Sequence, residues 1–209
     1  FYTALARELK LDLDRHNISI LSVEGVGFKP YVAICNALNI SWVLRTDNDI
    51  FSKTSVTPVK KYYAGISRGI GIVKDIGDNK TGLIEYWNQH SKENEWPKDA
   101  EIPEEAKKLN EYIRTNIKDL GIFLSDVDLE NDLASSELKD TLMNHYGKRD
   151  HDDLVNAMQK KKAENMMEFL TKNHKELSCL EESKIVEPLT SLIRITTERT
   201  RPDNGERTN

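Results

Sequence analysis

Asp47 and Asp49 stand two apart at the polar end of a short apolar run, Trp42-Val43-Leu44, in the segment SWVLRTDNDI (41–50). In an extended chain, side chains two apart leave the same side, so one ion can meet both carboxylates. Strand ends of α/β sheets are also where such folds open their ligand crevices. Two hard oxygen donors this close call for a divalent cation, Mg²⁺ or Mn²⁺. An acidic turn capping the next helix accounts for the same residues, because Asp and Asn are ordinary loop formers. A second cluster adds weight to the metal: the apolar run at 122–124 leads into Asp126, Asp128, Glu130 and Asp132. One acidic strand end is common; two in one small α/β chain are less so.

A third feature lies in 152–173, which reads as the longest helix. At about 100° per residue, Leu154, Val155, Met158, Met166 and Phe169 form one apolar stripe, and Lys162 falls inside it. Such a lysine either lays its stem along the apolar face with its ammonium in water, or points at an anionic centre that offsets the cost of desolvating its charge. Lys161 falls at the stripe's edge and Lys160 on the solvent side.

These residues need elements to position them. Tyr2, Leu5 and Leu9 share a helical face in 1–10, and 17–23 (NISILSV) is a β-rich run. A helix follows between Phe28 and Leu38, with Pro30 in its first turn. The next strand ends in Asp47. Strand, helix and strand in so few residues make a βαβ unit, hence an α/β fold with a parallel, right-handed crossover. Residues 51–100 are less patterned. Gly65, Gly69 and Gly71 read as turn glycines, since GISRGIG lacks the Lys-Ser/Thr ending of a phosphate-binding loop, and 86–103 reads as a polar surface loop. A helix opens at Pro103 with Leu109, Tyr112, Ile113 and Ile117 as its stripe, and Gly121 closes it. One more helix is expected around 184–195. The charged, non-periodic 196–209 reads as a disordered tail.

The chain has 209 residues, enough for one substantial domain. A hydrophobic content of 38% and a mean hydropathy of −0.61 describe a soluble protein with a charged surface. The net charge of −5 argues against wholesale coating of nucleic acid and leaves room for local basic patches. Cys35 and Cys179 have no metal-type spacing and read as reduced thiols of a cytoplasmic protein. No run approaches the length of a membrane span, and no signal peptide is visible. The first residue is Phe, so the chain reads as a piece of a longer one.

Three segments in order, 17–49 (NISILSVEGVGFKPYVAICNALNISWVLRTDND), 122–134 (IFLSDVDLENDLA) and 158–166 (MQKKKAENM), resemble the Toprim nuclease domain of the OLD (overcoming lysogenisation defect) family. That family includes the nuclease subunit of Gabija anti-phage systems. The resemblance implies a Toprim-like parallel sheet flanked by helices over 1–195, with an insertion at 51–120 and C-terminal helices at 150–195. It implies a metal-dependent DNA endonuclease that uses two Mg²⁺ or Mn²⁺ ions. Asp47 and Asp49 match the DxD metal ligands, and Asp128 and Glu130 the second acidic pair, with Asp126 an alternative in register. Lys162 matches the lysine that meets transition-state charge. Further implied are coupling to an ATPase in antiviral defence, a homo-oligomer and a UvrD-like helicase partner.

The family's first strand carries an EGxxE-type glutamate, and Glu24 lies too few residues before Asp47 to be it. That acid and the ATPase are expected upstream of Phe1, leaving the isolated piece a poor metal binder with little or no cleavage. Lys60, Lys61, Arg68 and Lys160 are the basic positions for gripping DNA. Two other readings stand beside this one. A DxD glycosyltransferase would leave the second acidic cluster and Lys162 unused. A docking or dimerisation module would use the helices at 103–120 and 152–173.

Overall fold

The computed structural model describes residues 1–77 and 81–200. In chain order they form α1 (Tyr2–Glu8), α2 (Lys29–Ala37), β1 (Leu44–Thr46), β2 (Ile50–Lys53), β3 (Lys60–Tyr63), α3 (Ala64–Ile76), α4 (Thr81–His90) and β4 (Trp96–Pro97). These are followed by α5 (Glu104–Lys118), β5 (Ile122–Leu124), α6 (Leu129–Ala134), α7 (Lys139–Tyr146), α8 (His151–Gln159), α9 (Lys162–Asn173) and α10 (Glu187–Thr200). Short 3-10 helices occupy Ser91–Asn94 and His174–Leu180.

The expected α/β class with a parallel sheet forms, but not through a βαβ unit over 17–47: the parallel partner of the strand that leads to Asp47 is β5. β1 pairs in parallel with β5, Leu44 opposite Ile122 and Thr46 opposite Leu124. This register brings the two acidic tips side by side. The long crossover between them holds a three-stranded antiparallel sheet, ordered β2-β3-β4, together with α3, α4 and α5. Two apolar cores result. One gathers α2, α3, α4, α5 and the strands around Ile66, Ile70, Trp96, Ile113 and Ile122. The other is all-helical, built from α1 and α6 to α10 around Leu5, Leu133, Leu154, Phe169 and Leu180.

Several local expectations give way. Residues 17–23 form no strand, and Ile20 and Leu21 are 42% and 65% exposed; a β-rich run without a partner has no ladder to join. The segment 86–103, expected as a loop, carries the end of α4, a 3-10 turn and β4, because Trp96 is buried to 1% against Tyr63. Gly65, Gly69 and Gly71 lie inside α3, not in turns. On α5 the buried stripe is Ala106, Leu109, Ile113 and Ile117, while Tyr112 sits at its exposed edge, its ring tilted against that of Tyr86. The helix ends at Lys118 with Asp119 as its cap, so Gly121, at φ +77°, is not the cap itself but turns the chain two residues later into β5.

The single helix expected over 152–173 is two. Lys161 takes φ +92° between α8 and α9, and the Asn165 side chain donates to the Ala157 carbonyl across the break. Three successive lysines offer no apolar group to hold a straight turn against the core. At the C-terminus helix α10 continues through the start of the expected tail to Thr200; 201–209 lie outside the described residues.

Candidate metal centre

The turn Thr46-Asp47-Asn48-Asp49 joins β1 to β2, and Asn48 anchors it. Asn48 is fully buried. Its side chain donates to Asn110 Oδ1 on α5 at 2.8 Å and accepts from the Ile66 N–H at 3.2 Å. Its own N–H donates to the Val127 carbonyl at 2.7 Å, which ties the first acidic tip to the second. The Ala64 N–H donates to the Asp49 carbonyl at 2.8 Å, so the start of α3 is capped by the turn itself. With Asn48 pointing inward, Asp47 and Asp49 are left half-buried on the outer side.

Both carboxylates are pushed above their ordinary values. For Asp47 the causes are burial and then the Asp49 charge; for Asp49 they are burial and then the Asp128 charge. Lys162 opposes the rise at both. The two tips therefore share one electrostatic field, and it is short of positive charge.

On the second tip, Asp128 caps α6 and is 3% exposed. One of its oxygens accepts from Asn131 (N–H and Nδ2, each 2.8 Å), and the other from Gln159 Nε2 at 2.6 Å. Glu130, 6% exposed, accepts from Lys162 Nζ at 2.9 Å. Burial draws the Lys162 ammonium down, but its hydrogen bond to Glu130 and the charges of Glu130, Asp128 and Asp47 together raise it. Lys161 reaches only Glu164, at the surface.

Asp126 faces elsewhere. Its exposed carboxylate meets Arg114, and its N–H donates to Asp132 at 3.0 Å. Asp132 itself is ion-paired to Arg45 at 2.6 Å. The geometry thus assembles Asp47, Asp49, Asp128, Glu130 and Lys162 at one seam between the two cores and leaves Asp126 outside.

All-oxygen donors in a field lacking positive charge fit a hard divalent cation. Among the described residues, no three acidic or other ligating side chains converge on one point. Mg²⁺ tolerates that, since it keeps several waters and is held by one or two carboxylates. Asp47 with Asp49, and Asp128 with Glu130, are the pairs that would hold it.

Sequence reasoning missed the structural weight of Asn48 and Gly65. A Cβ on Gly65 would stand 2.5 Å from Asn48 Oδ1 and 2.7 Å from the Asp47 carbonyl, so only glycine lets α3 sit on the turn. It also missed that Arg68, one turn along α3, donates to Thr46 Oγ1 at 2.8 Å. Amide-rich DND turns and helical glycines carry no distinctive pattern in a single sequence.

Residues 1–49 match the TOPRIM domain of overcoming lysogenization defect protein-like proteins, a stretch that ends on Asp49. The match relates this chain to the OLD-like Toprim proteins.

Over 184 residues the chain is 29% identical to endonuclease GajA of Bacillus cereus (strain VD045), with 78% of this chain covered. It spans 29% of that relative's length. Among solved structures, it superposes on the C-terminal region of the Xanthomonas campestris pv. campestris OLD protein with TM-score 0.49 and 16% identity, covering 94% of this chain and 89% of that one. For the same region of the Burkholderia pseudomallei OLD protein the values are 0.42, 19%, 94% and 88%.

Proposed function

We propose that the chain is the nuclease domain of a metal-dependent DNA endonuclease, hydrolysing phosphodiester bonds as part of a defence protein of the GajA kind. The observation that carries this reading is that two acidic tips, Asp47-Asp49 and Asp128-Glu130, lie side by side on paired parallel strands, with Lys162 bonded to Glu130. Two bound divalent ions would supply an activated water and neutralise the leaving oxygen. Asp47 and Asp49 orient one side of the site, and the buried Asn48 keeps their turn from shifting. Asp128 and Glu130 define the other side, each fixed by its own hydrogen bonds. Lys162 sits among these acids and meets the charge that develops on the phosphate oxygens, an electrostatic contribution.

DNA as substrate, Mg²⁺ or Mn²⁺ as cofactor, coupling to an ATPase, a homo-oligomer and a helicase partner belong to the same proposal. The substrate rests on the likeness to an endonuclease, the cation on the acid cluster, and the ATPase, oligomer and helicase on the family resemblance of the sequence. Asp47→Ala in the full-length protein is expected to abolish Mg²⁺-dependent nicking of plasmid DNA. Nicking that persists in this variant removes the assignment.

One observation favours a second reading, a docking module. Tyr31 and Ile34 on α2 and Leu38 at its C-cap are exposed, as are Ile20 and Leu21. Sedimentation with and without Mg²⁺ separates the two: self-association indifferent to the ion, in a protein that does not cut, favours docking.

A further inference from the structure

Resting on that nuclease reading, we propose that Arg68 is a phosphate-binding residue of the site, its guanidinium taking non-bridging oxygens of the phosphodiester from the side of α3 while Lys162 approaches from α9. Three observations carry it. The first is place. Gly65 brings the first turn of α3 into contact with the backbone of Asp47 and Asn48, and the Arg68 side chain one turn later reaches back to Thr46, the residue before Asp47.

The second is unused capacity. A guanidinium has five N–H donors in a rigid fork. Among the described residues Arg68 donates to a single acceptor, Thr46 Oγ1, and has no carboxylate within ion-pair distance. The two other partly buried arginines of this seam are both paired, Arg45 with Asp132 and Arg114 with Asp126. A half-buried guanidinium whose only bonded partner is a neutral hydroxyl keeps donors to spare for an anion.

The third is field. The charges of Asp49 and Asp47 both act on Arg68 and counter the effect of its burial, so it borders the acid cluster without closing it off. Cations filling the cluster would turn its sign positive. A phosphate held there would then lie between Lys162 and Arg68, and the planar fork suits two of its oxygens at once.

A role as plain countercharge for the carboxylates makes the opposite prediction about metal. If Arg68 only steadied Asp47 and Asp49, removing it would weaken the ion site. If it binds phosphate, removing a neighbouring cation leaves half-saturating Mg²⁺ unchanged or lower, and the loss falls on turnover of DNA.

The test compares wild type, Arg68→Ala and Arg68→Lys in the full-length protein, with melting curves to show that each is folded. Arg68→Ala is expected to lower kcat/KM by about 10²–10³-fold, the usual loss for one preorganised donor to a developing oxyanion. Arg68→Lys is expected to recover part of it, because a point charge lacks the fork. Cleavage by Arg68→Ala within about threefold of wild type, or a loss fully repaired by raising Mg²⁺, overturns the proposal and leaves the nuclease reading standing. If wild type itself cuts no DNA, the nuclease reading fails. Arg68 is then judged by oligonucleotide binding in Mg²⁺, where Arg68→Ala is expected to reduce the salt slope by about 0.7–0.9 and an unchanged slope overturns the proposal.

Discussion

Asp47 carries a cost that its position explains. Its carboxyl is raised first by burial and then by the neighbouring Asp49 charge. A carboxyl whose folded value lies above its unfolded one destabilises the fold when ionised, so that cost is present at neutral pH and is relieved as pH falls through the carboxylate range. Asp47→Asn removes the charge and keeps the shape. The variant is expected to melt higher than wild type at pH 7 by a few degrees, at ~2–4 °C per kcal/mol for a chain this size, and the gain should shrink toward pH 4. Millimolar Mg²⁺ should raise the melting temperature of wild type more than that of the variant, since only the former offers the full acid pair. A variant that melts lower than wild type at pH 7 would mean that the Asp47 charge is satisfied within the fold and that the site is not poised for a cation.

At the level of elements, α3 sets the shape of the first acidic tip. Gly65→Ala places a methyl 2.5 Å from Asn48 Oδ1 and 2.6 Å from Asn48 Cα, and Asn48 is pinned by its N–H to the Val127 carbonyl and by its side chain to Asn110. Overpacking of about 1–3 kcal/mol is set against a helix-propensity gain of ~1 kcal/mol, so net destabilisation is expected along with loss of the Mg²⁺-dependent melting shift. Gly71→Ala is the control in the same helix. Its Cβ would meet only the Lys29 side chain, at 3.7 Å, and the variant should be as stable as wild type or more so. Equal melting of the two variants would show that close approach at Gly65 does not govern the turn.

The same helix shows what the sequence could and could not convey. Alternation and apolar runs were enough for β1, β5 and the acids at their tips. Nothing local announced that Gly65 was a packing glycine, because a close approach depends on Asn48, seventeen residues away in sequence and adjacent in space. The break at Lys161 was equally silent. One straight helix over 152–173 puts Lys162 in an apolar stripe; in the structure it meets Glu130 from the first turn of a separate helix. The run at 17–23 has the composition of a strand, and composition cannot say whether a partner lies beside it.

At the scale of the molecule the candidate site exists only where two cores meet. Asp47 and Asp49 follow β1, whose Leu44 packs on the core of α3 and α5, while Asp128, Glu130 and Lys162 lie at the starts of α6 and α9, whose Leu133 and Phe169 lie in the helical core. Arg45 and Asp132, their side chains 12% and 15% exposed, join the two across the seam at 2.6 Å. The Arg45 guanidinium also lies over the Tyr2 ring, 5.7 Å from its centroid. Lys118 and Glu187 make a second, wetter crossing at 2.5 Å.

Arg45→Met leaves Asp132 buried without its partner, a loss of about 2–4 kcal/mol, set below the full figure for an enclosed pair because some water reaches this one. Burial already raises Asp132 and Arg45 works against that rise. Without Arg45 the carboxylate is less favourable still, so the defect should ease as pH falls and largely disappear in Arg45→Met/Asp132→Asn. The three tryptophans, Trp42, Trp87 and Trp96, all lie in or against the core of α3 and α5. Tryptophan fluorescence therefore reports that core alone, whereas far-ultraviolet circular dichroism reports both. In wild type the two signals are expected to share one denaturation midpoint; in Arg45→Met they should separate, as the helical core uncouples and takes Asp128 and Glu130 away from Asp47. Coincident midpoints in the variant would mean that the cores are held together by something other than this ion pair, and that the seam does not depend on it.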